Sequence, residues 1–437
     1  CLSCGKCIDV CPVGALIERR EHYNLNPHAK EIAIQNCGSC GVGCFVQTET
    51  QAGIIANITT PREKPGFNGR NLCFKGRYGW QCYYGEDWLG LPRLKTATGF
   101  KDISWQEAAS IIQEKLFGAS TKRFEISPYL SLEEMLMLKK AADSYELPLY
   151  ANPEFARFSD AYLPLKPVDK PYEILDKFEE YLVVGELNQT LATMLRLKQR
   201  QGKKLILVHY PGEAFVKFAD LKLNKLSEAT PSAKTLFIYN QNRIPEREAY
   251  ELWRLAKQHG DNNIMVSTDY RNHMGFLALQ PKMGACSSAD FVLGWGFYPQ
   301  KADEAKFSVA IMNFRDDHAP VDLLIPSVGY LELEGHALAD MGHLTRGGNP
   351  AQSTTINELM RLFYTLGWIH PNSAEIPFWN SEAEELLGSL EAHQAQPFDA
   401  TAIDIDKLAT DVHSTDSQLL ARIKALAEKR KEITSWK

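Results

Sequence analysis

The placement of the cysteines constrains this chain more than any other feature. Of its ten cysteines, eight crowd into the first 73 residues: Cys1, Cys4, Cys7, Cys11, Cys37, Cys40, Cys44 and Cys73. Only Cys82 and Cys286 follow in the remainder of the 437 residues. A disulfide framework would spread or repeat its cysteines through a chain of this length. Gaps of two and three residues instead bring thiolates together on one small object, which is the pattern of metal ligation in a reducing compartment. Cys82 and Cys286 have no spaced companions and read as small buried apolar residues.

The first group runs Cys1-x2-Cys4-x2-Cys7-x3-Cys11-Pro12, the spacing of a bacterial ferredoxin-type run. Three closely spaced thiolates close on one face of an iron–sulfur cube, and the fourth ligates the other cluster of a pair. Soft, anionic sulfur donors suit such clusters. Cys1, Cys4 and Cys7 then lack a fourth ligand, and Cys11 lacks three. Two clusters are therefore expected to be shared with ligands upstream of Cys1, and the chain is read as a fragment or a processed chain.

The second group is Cys37-x2-Cys40-x3-Cys44-x28-Cys73, a complete set of four. Gly38, Gly41 and Gly43 fill its gaps, and glycine tolerates the backbone angles of a loop wrapped round a cluster. One [4Fe-4S] cluster fits. Zinc also accepts four thiolates, and spacing alone leaves that alternative open.

Composition narrows the class. Hydrophobic residues make up 44% and charged residues 23%, a globular balance. A net charge of −6 gives no overall basic field for nucleic acid. No apolar run approaches the roughly 18 residues of a membrane helix. The expected setting is cytoplasmic, soluble or peripheral to a membrane, with no direct span.

Beyond residue 100 strands and helices alternate. Ser104 with Glu107, and Ser131 with Glu134, are spaced as capping boxes ahead of helical apolar patterns. Strands are expected at 181–185, 204–208, 235–239, 263–266, 290–293, 308–311 and 322–325, with helices near 191–200, after Pro245 and at 358–367. This alternation predicts doubly wound parallel sheets, whose ligands bind beyond the carboxyl ends of the strands. Gly185 to Asn188 and Gly294-Trp295-Gly296 occupy such ends. His336, His343 and Arg346 lie in a glycine-rich stretch read as a solvated polar loop. Neither a dinucleotide-binding glycine fingerprint nor a P-loop is present in the sequence.

Cys37, Cys40, Cys44 and Cys73, with the segment Asn71-Leu-Cys-Phe-Lys-Gly-Arg-Tyr78, resemble the iron–sulfur domain of molybdopterin oxidoreductases. Leu91-Pro-Arg-Leu and Ile103-Ser-Trp-Gln-Glu-Ala108 resemble that family's entry into its first α/β domain. The likeness covers roughly residues 1 to 350 and is specific before residue 80 and diffuse after it. It implies an α/β fold: a ferredoxin-like segment, a small iron–sulfur domain, doubly wound molybdopterin oxidoreductase-like domains and a helical C-terminus. The expected divisions are 1–33, 34–90, 91–230, 231–375 and a tail at 376–437. In catalytic members a lysine two residues after the last cysteine lies between cluster and pterin, and Lys75 holds that place.

Two departures shape the functional expectation. No cysteine lies between Cys82 and Cys286 to ligate molybdenum or tungsten, and Ser159 or Asp160 would have to substitute outside any clear motif. The residues after 350 have helical rather than β-rich composition. The chain therefore resembles the catalytically silent large iron–sulfur subunit of complex I and its soluble relatives, among them NAD-linked formate dehydrogenases, bifurcating hydrogenases and transhydrogenases. The resemblance implies an electron-transfer subunit with a degenerate pterin site, no molybdopterin and no catalytic residue of its own. Its implied partners are a flavin/NAD(P)-binding subunit and a small iron–sulfur subunit. A catalytic molybdenum or tungsten subunit of formate dehydrogenase type, and a redox-silent scaffold, are the alternatives.

Overall fold

A computed structural model describes residues 4–16, 31–63, 65–156, 171–211, 213–260, 263–283, 288–332, 335–341, 343–347 and 354–368. Cys1, Ser159, Asp160, Cys286 and the expected tail at 376–437 lie outside the described residues.

The chain begins with a short helix, α1 (Lys6–Val10), inside the first cysteine run. An antiparallel three-stranded sheet follows, made of β1 (Glu31–Asn36), β2 (Phe45–Gln51) and β3 (Ile54–Thr59). A one-turn helix, α2 (Phe74–Tyr78), starts at Cys73 and closes this unit.

The body then lays down β4 (Arg93–Thr96), β5 (Gly99–Asp102), α3 (Trp105–Gly118), β6 (Lys122–Glu125), α4 (Leu132–Asp143) and β7 (Leu149–Ala151). Next come β8 (Glu180–Val184), α5 (Gln189–Arg200), β9 (Lys204–Val208), β10 (Leu221–Leu223), β11 (Thr235–Asn240), α6 (Glu246–Lys257) and β12 (Ile264–Ser267). After them stand α7 (His273–Ala278), β13 (Lys282–Met283), β14 (Phe291–Trp295), β15 (Phe307–Met312) and β16 (Leu323–Pro326). A hairpin of β17 (His336–Leu338) and β18 (Leu344–Arg346) and a helix, α8 (Thr355–Thr365), end the described part.

The helices begin where their sequence dictates. Ser104 Oγ accepts the Glu107 N–H at the start of α3. At α4 the box is reciprocal: Ser131 Oγ accepts from the Glu134 N–H at 3.3 Å, while the Glu134 carboxylate takes the Ser131 N–H at 2.7 Å. Such caps satisfy donors that a helix start leaves open, at about 1 kcal/mol each.

Strands β8, β11 and β14 are buried along their whole length. Parallel strands covered by helices on both faces read as continuous apolar runs, and Tyr181-Leu-Val-Val184 is one. One large core surrounds Trp295, Phe124, Phe237 and Phe363, each buried, and a second joins Val183, Leu195 and Ile238 to the cysteine loop. Each such side chain contributes about 1.5–3 kcal/mol by leaving water.

The two large sheets do not divide at residue 230, where the sequence places a boundary between successive domains. The five-stranded sheet, ordered β10-β9-β8-β11-β12, uses only residues from 180 to 267. The eight-stranded sheet, ordered β13-β7-β6-β14-β15-β16-β4-β5, takes strands from both sides of it. Phe124 of β6 pairs with Leu293 of β14, so the smaller sheet is an insertion within the larger. Periodicity marks where strands are, but not which distant strand each one joins.

In each sheet the parallel strands reverse their order once, between β6 and β14 in the larger, which also carries antiparallel β4 and β5 at one edge, and between β8 and β11 in the smaller. Crevices for ligands open at such points, beyond the carboxyl ends of the strands. Among the described residues no helix is long and apolar enough to cross a membrane.

Candidate functional site

Three of the second group's cysteines sit on one hairpin loop. Cys37 follows β1 and Cys44 precedes β2, and the loop is closed by Cys37 N–H donating to the Cys44 carbonyl at 2.7 Å. Gly43 turns the loop with a φ of 64°, and Asn36 Nδ2 donates to its carbonyl at 2.9 Å. Cys73 comes from the start of α2, where its Sγ accepts the Gly76 N–H at 3.4 Å. Asn68, fully buried, joins these two pieces. Its side chain accepts the Phe45 N–H at 2.9 Å and donates to the carbonyls of Phe45 and Asn71 at 3.1 and 2.9 Å.

The four thiols converge. Burial pushes the Cys40, Cys44 and Cys73 thiols up from their ordinary range, and each of the four sulfurs lies near enough to the other three for mutual charge repulsion to add to the effect. Burial thus disfavours the charged forms of Cys40, Cys44 and Cys73, and a bound cation would compensate for that cost. No group of three or more His, Cys, Asp or Glu side chains among the described residues is arranged to hold a single metal ion.

The cradle is enclosed by residues far away in the chain. Gly41 has no room for a side chain, since a Cβ there would lie 2.0 Å from Asp340 Oδ1. Asp340 also accepts the Thr268 N–H at 2.6 Å and the Thr268 hydroxyl at 2.7 Å. Burial, aided by nearby Asp269, raises the Asp340 carboxyl to about 8. The Cys37 sulfur lies 3.9 Å from the Tyr330 hydroxyl. His343 is buried too, and burial lowers its imidazole to about 4.

The one-turn helix α2 faces two ways. Lys75 is buried at 9% exposure, and its charge acts on both Cys73 and Asp269. It is an interior lysine, not a surface one. Arg77 points to the first cysteine run. It donates to the Cys4 carbonyl at 2.8 Å and to Asp9 Oδ1 at 3.1 Å. Cys4 and Cys11 are half-buried and Cys7 is exposed. Cys82 is buried, in keeping with its reading as a small apolar residue.

The two crevices differ. In the smaller sheet, side chains from the strand ends occupy the reversal point. Asn240 Nδ2 donates to Asn188 Oδ1 at 2.9 Å, Asn188 Nδ2 donates to Asp269 Oδ1 at 3.0 Å, and Arg243 Nη2 donates to Asp269 at 2.9 Å. Asp269 is held below its usual range by the Arg243 guanidinium, against the opposing effect of burial. In the larger sheet a cavity of about 200 Å³ remains, with Tyr129, Gly296, Asn313 and Tyr330 on its walls beside Gly38 and Ser39 of the cysteine loop.

The solvated loop expected at 336–346 is replaced by a packed hairpin. His336 Nδ1 lies 2.6 Å from Glu133 Oε1, and both side chains are buried. Gly335 lets the hairpin press against the start of α4, where a Cβ on it would lie 2.9 Å from Ser131 Cβ, and Gly43 of the cysteine loop makes room for Thr345 of β18. Arg77 lies in the segment that carries the resemblance but with no role read for it, and Asn68, Tyr330 and Asp340 carry no local sequence signal for the site. Each reaches it through a contact distant in sequence.

No protein-family model matches the chain. A component of the NADH-quinone oxidoreductase of Rhizobium meliloti is 30% identical over 142 residues, covering 32% of this chain and 16% of that protein. NADH-quinone oxidoreductase subunit 3 of Thermus thermophilus is 30% identical over 153 residues, covering 33% and 18%. The NADPH-Fe(3+) oxidoreductase subunit alpha of Geobacter sulfurreducens is 24% identical over 252 residues, covering 54% and 29%. The chain thus spans less than a third of the length of these relatives. Over the part that matches, these relatives are oxidoreductase subunits, and the chain is similar there to molybdopterin oxidoreductase-like large subunits.

Proposed function

We propose that this chain is an iron–sulfur electron-transfer subunit of a multi-subunit NAD(P)H-linked oxidoreductase. It relays electrons from a flavin subunit toward another acceptor module, and its pterin site is degenerate. The observation that carries the reading is that buried Cys37, Cys40 and Cys44 on one loop meet Cys73 at the start of α2, where Gly76 donates its N–H to Cys73 Sγ and a Cβ on Gly76 would lie 3.5 Å from Cys37 Sγ. Zinc, too, accepts four thiolates. The ferredoxin-type run tied to the same helix through Arg77 favours an iron–sulfur cluster, because two cysteine groups held side by side suit electron transfer between them.

A [4Fe-4S] cluster supplies one-electron chemistry when bound, at a potential set by burial and by hydrogen bonds to its sulfurs. The chain's own residues hold the sulfurs and exclude water. Gly76 N–H donates to Cys73, and Lys75 offsets negative charge from the helix side. Cys4, Cys7 and Cys11, with Cys1, are the ligands proposed for the ferredoxin-type clusters, and Arg77 holds their segment against α2. The filled crevice of Asn188, Asn240, Asp269 and Arg243 supports a degenerate pterin site, because a ligand there would have to displace a satisfied buried network.

The buried place of Lys75 beside Cys73 favours the second reading, a catalytic molybdenum or tungsten subunit. Anaerobically purified chain separates the readings. Iron and acid-labile sulfide, with a low-temperature paramagnetic signal after dithionite and no molybdenum or tungsten, are expected. Cys40→Ala is expected to lose about four irons per chain, the content of one [4Fe-4S] cluster. Stoichiometric molybdenum or tungsten with formate-dependent dye reduction would replace the first reading by the second. A chain with no reducible signal would be a scaffold.

A further inference from the structure

Tyr330 stands between the cysteine cradle and the cavity at the reversal point of the larger sheet. Its hydroxyl is 3.9 Å from Cys37 Sγ, within reach of a hydrogen bond to sulfur. Ser39 lines the same cavity wall, and its hydroxyl acts on the tyrosine oxygen. The ring lies hard against the cysteine loop: a Cβ on Gly38 would fall 2.6 Å from both Cβ and Cγ of Tyr330. The bare backbone at Gly38 is therefore what lets the hydroxyl come this near the sulfur.

A thiolate bound to iron carries no proton, so of these two atoms only the tyrosine oxygen can donate. We propose that Tyr330 sets the reduction potential of the cluster held by Cys37, Cys40, Cys44 and Cys73, by donating its hydroxyl proton to Cys37 Sγ. This rests on the cluster reading above and adds a residue outside the ligand set. An added electron increases the negative charge on the ligand sulfurs, so a donor there stabilises the reduced form more than the oxidised one and raises the potential. The Ser39 hydroxyl beside the tyrosine oxygen polarises the tyrosine hydroxyl and strengthens its bond to sulfur.

The test is a redox titration of the full chain, prepared anaerobically and followed by paramagnetic resonance, in the wild type, Tyr330→Phe, Ser39→Ala and Tyr83→Phe. Tyr330→Phe keeps the ring against Gly38 and removes only the donor. Equal iron content and a lower midpoint potential are expected for it, with a smaller shift in the same direction for Ser39→Ala. Tyr83→Phe removes a neighbouring hydroxyl that accepts the Leu331 N–H at 3.3 Å, and its potential is expected to match the wild type. An unshifted potential in Tyr330→Phe, or an equal shift in Tyr83→Phe, overturns the inference while leaving the cluster reading intact. A wild-type chain with no reducible iron–sulfur signal overturns both. If Tyr330→Phe fails to retain iron, Ser39→Ala decides the matter by its own shift or lack of one.

Discussion

Arg77 and Asp9 form an ion pair inside the protein, their side chains 4% and 7% exposed, across the junction between the two cysteine groups. The guanidinium also holds the Cys4 carbonyl, so one residue of the second group's helix fixes the position of the first run. Gly5 leaves the space it needs, since a Cβ there would lie 2.5 Å from Arg77 Cδ. Removing one partner of a buried pair strands the other charge, at a cost of about 3–5 kcal/mol. Asp9→Ala should therefore release residues 4–16 while the β1–β3 sheet stays closed. Amide exchange should show protection lost in the first segment alone, and unchanged protection there would refute the pairing.

The contact of Gly41 with Asp340 gives a second prediction. Gly41→Ala forces a methyl group into a carboxylate, and overpacking of this kind costs about 1–3 kcal/mol. The hairpin loop is expected to move and iron content to drop, with the α/β body still folded by circular dichroism. Normal iron content in the variant would show that the loop has slack.

Asn68 is the seam between the hairpin loop and α2. Asn68→Ala leaves the Phe45 N–H and two carbonyls without their buried partner, at about 1–3 kcal/mol for such a group. A melting midpoint lowered by several degrees is expected, with Asn68→Asp recovering only the bond from the Phe45 N–H. A midpoint within error of the wild type would mean that water replaces the side chain.

His273 predicts a pH dependence. It is fully buried, with Nε2 2.7 Å from the Phe155 carbonyl, and burial lowers its imidazole to about 4. In the unfolded chain the same group titrates near 6.5. Between those values the unfolded state binds a proton that the folded state refuses, so stability is complete above about pH 6.5 and falls as the pH drops toward 4. The full loss amounts to about 3 kcal/mol. His273→Gln keeps an amide donor for Phe155 and cannot titrate, so its stability relative to wild type should improve between pH 7 and pH 5. Parallel urea curves at the two pH values check this, and a constant difference would refute it.

Local features are legible in the sequence. Ser131 and Glu134 mark the start of α4, Pro245 that of α6, and continuous apolar runs give β8, β9, β11 and β14. Each depends on neighbours a few residues apart. The joining of Phe124 to Leu293 is not legible, because a parallel pairing leaves no trace in the spacing of either strand. The cysteine spacing points to a four-thiol set, but the residues that enclose it do not announce themselves. Tyr330 is an ordinary residue after a strand, and Asp340 looks like one polar group in a glycine-rich loop. His336 and His343 read as solvated for the same reason: glycines that permit close packing look, in sequence, like glycines that permit a turn.

Because the smaller sheet is inserted between β7 and β13, the order of synthesis differs from the order in space. The inner sheet holds all its strands once Ser267 is made, whereas β6 waits for β14 and the outer sheet closes only with β16. Contacts so distant along the chain form late. The cysteine hairpin is made before Tyr330 and Asp340, which shelter it; Tyr330 follows Cys37 by 293 residues. Metal delivered to the nascent thiols would meet an open, water-exposed hairpin, and a sheltered centre exists only after the last wall is in place.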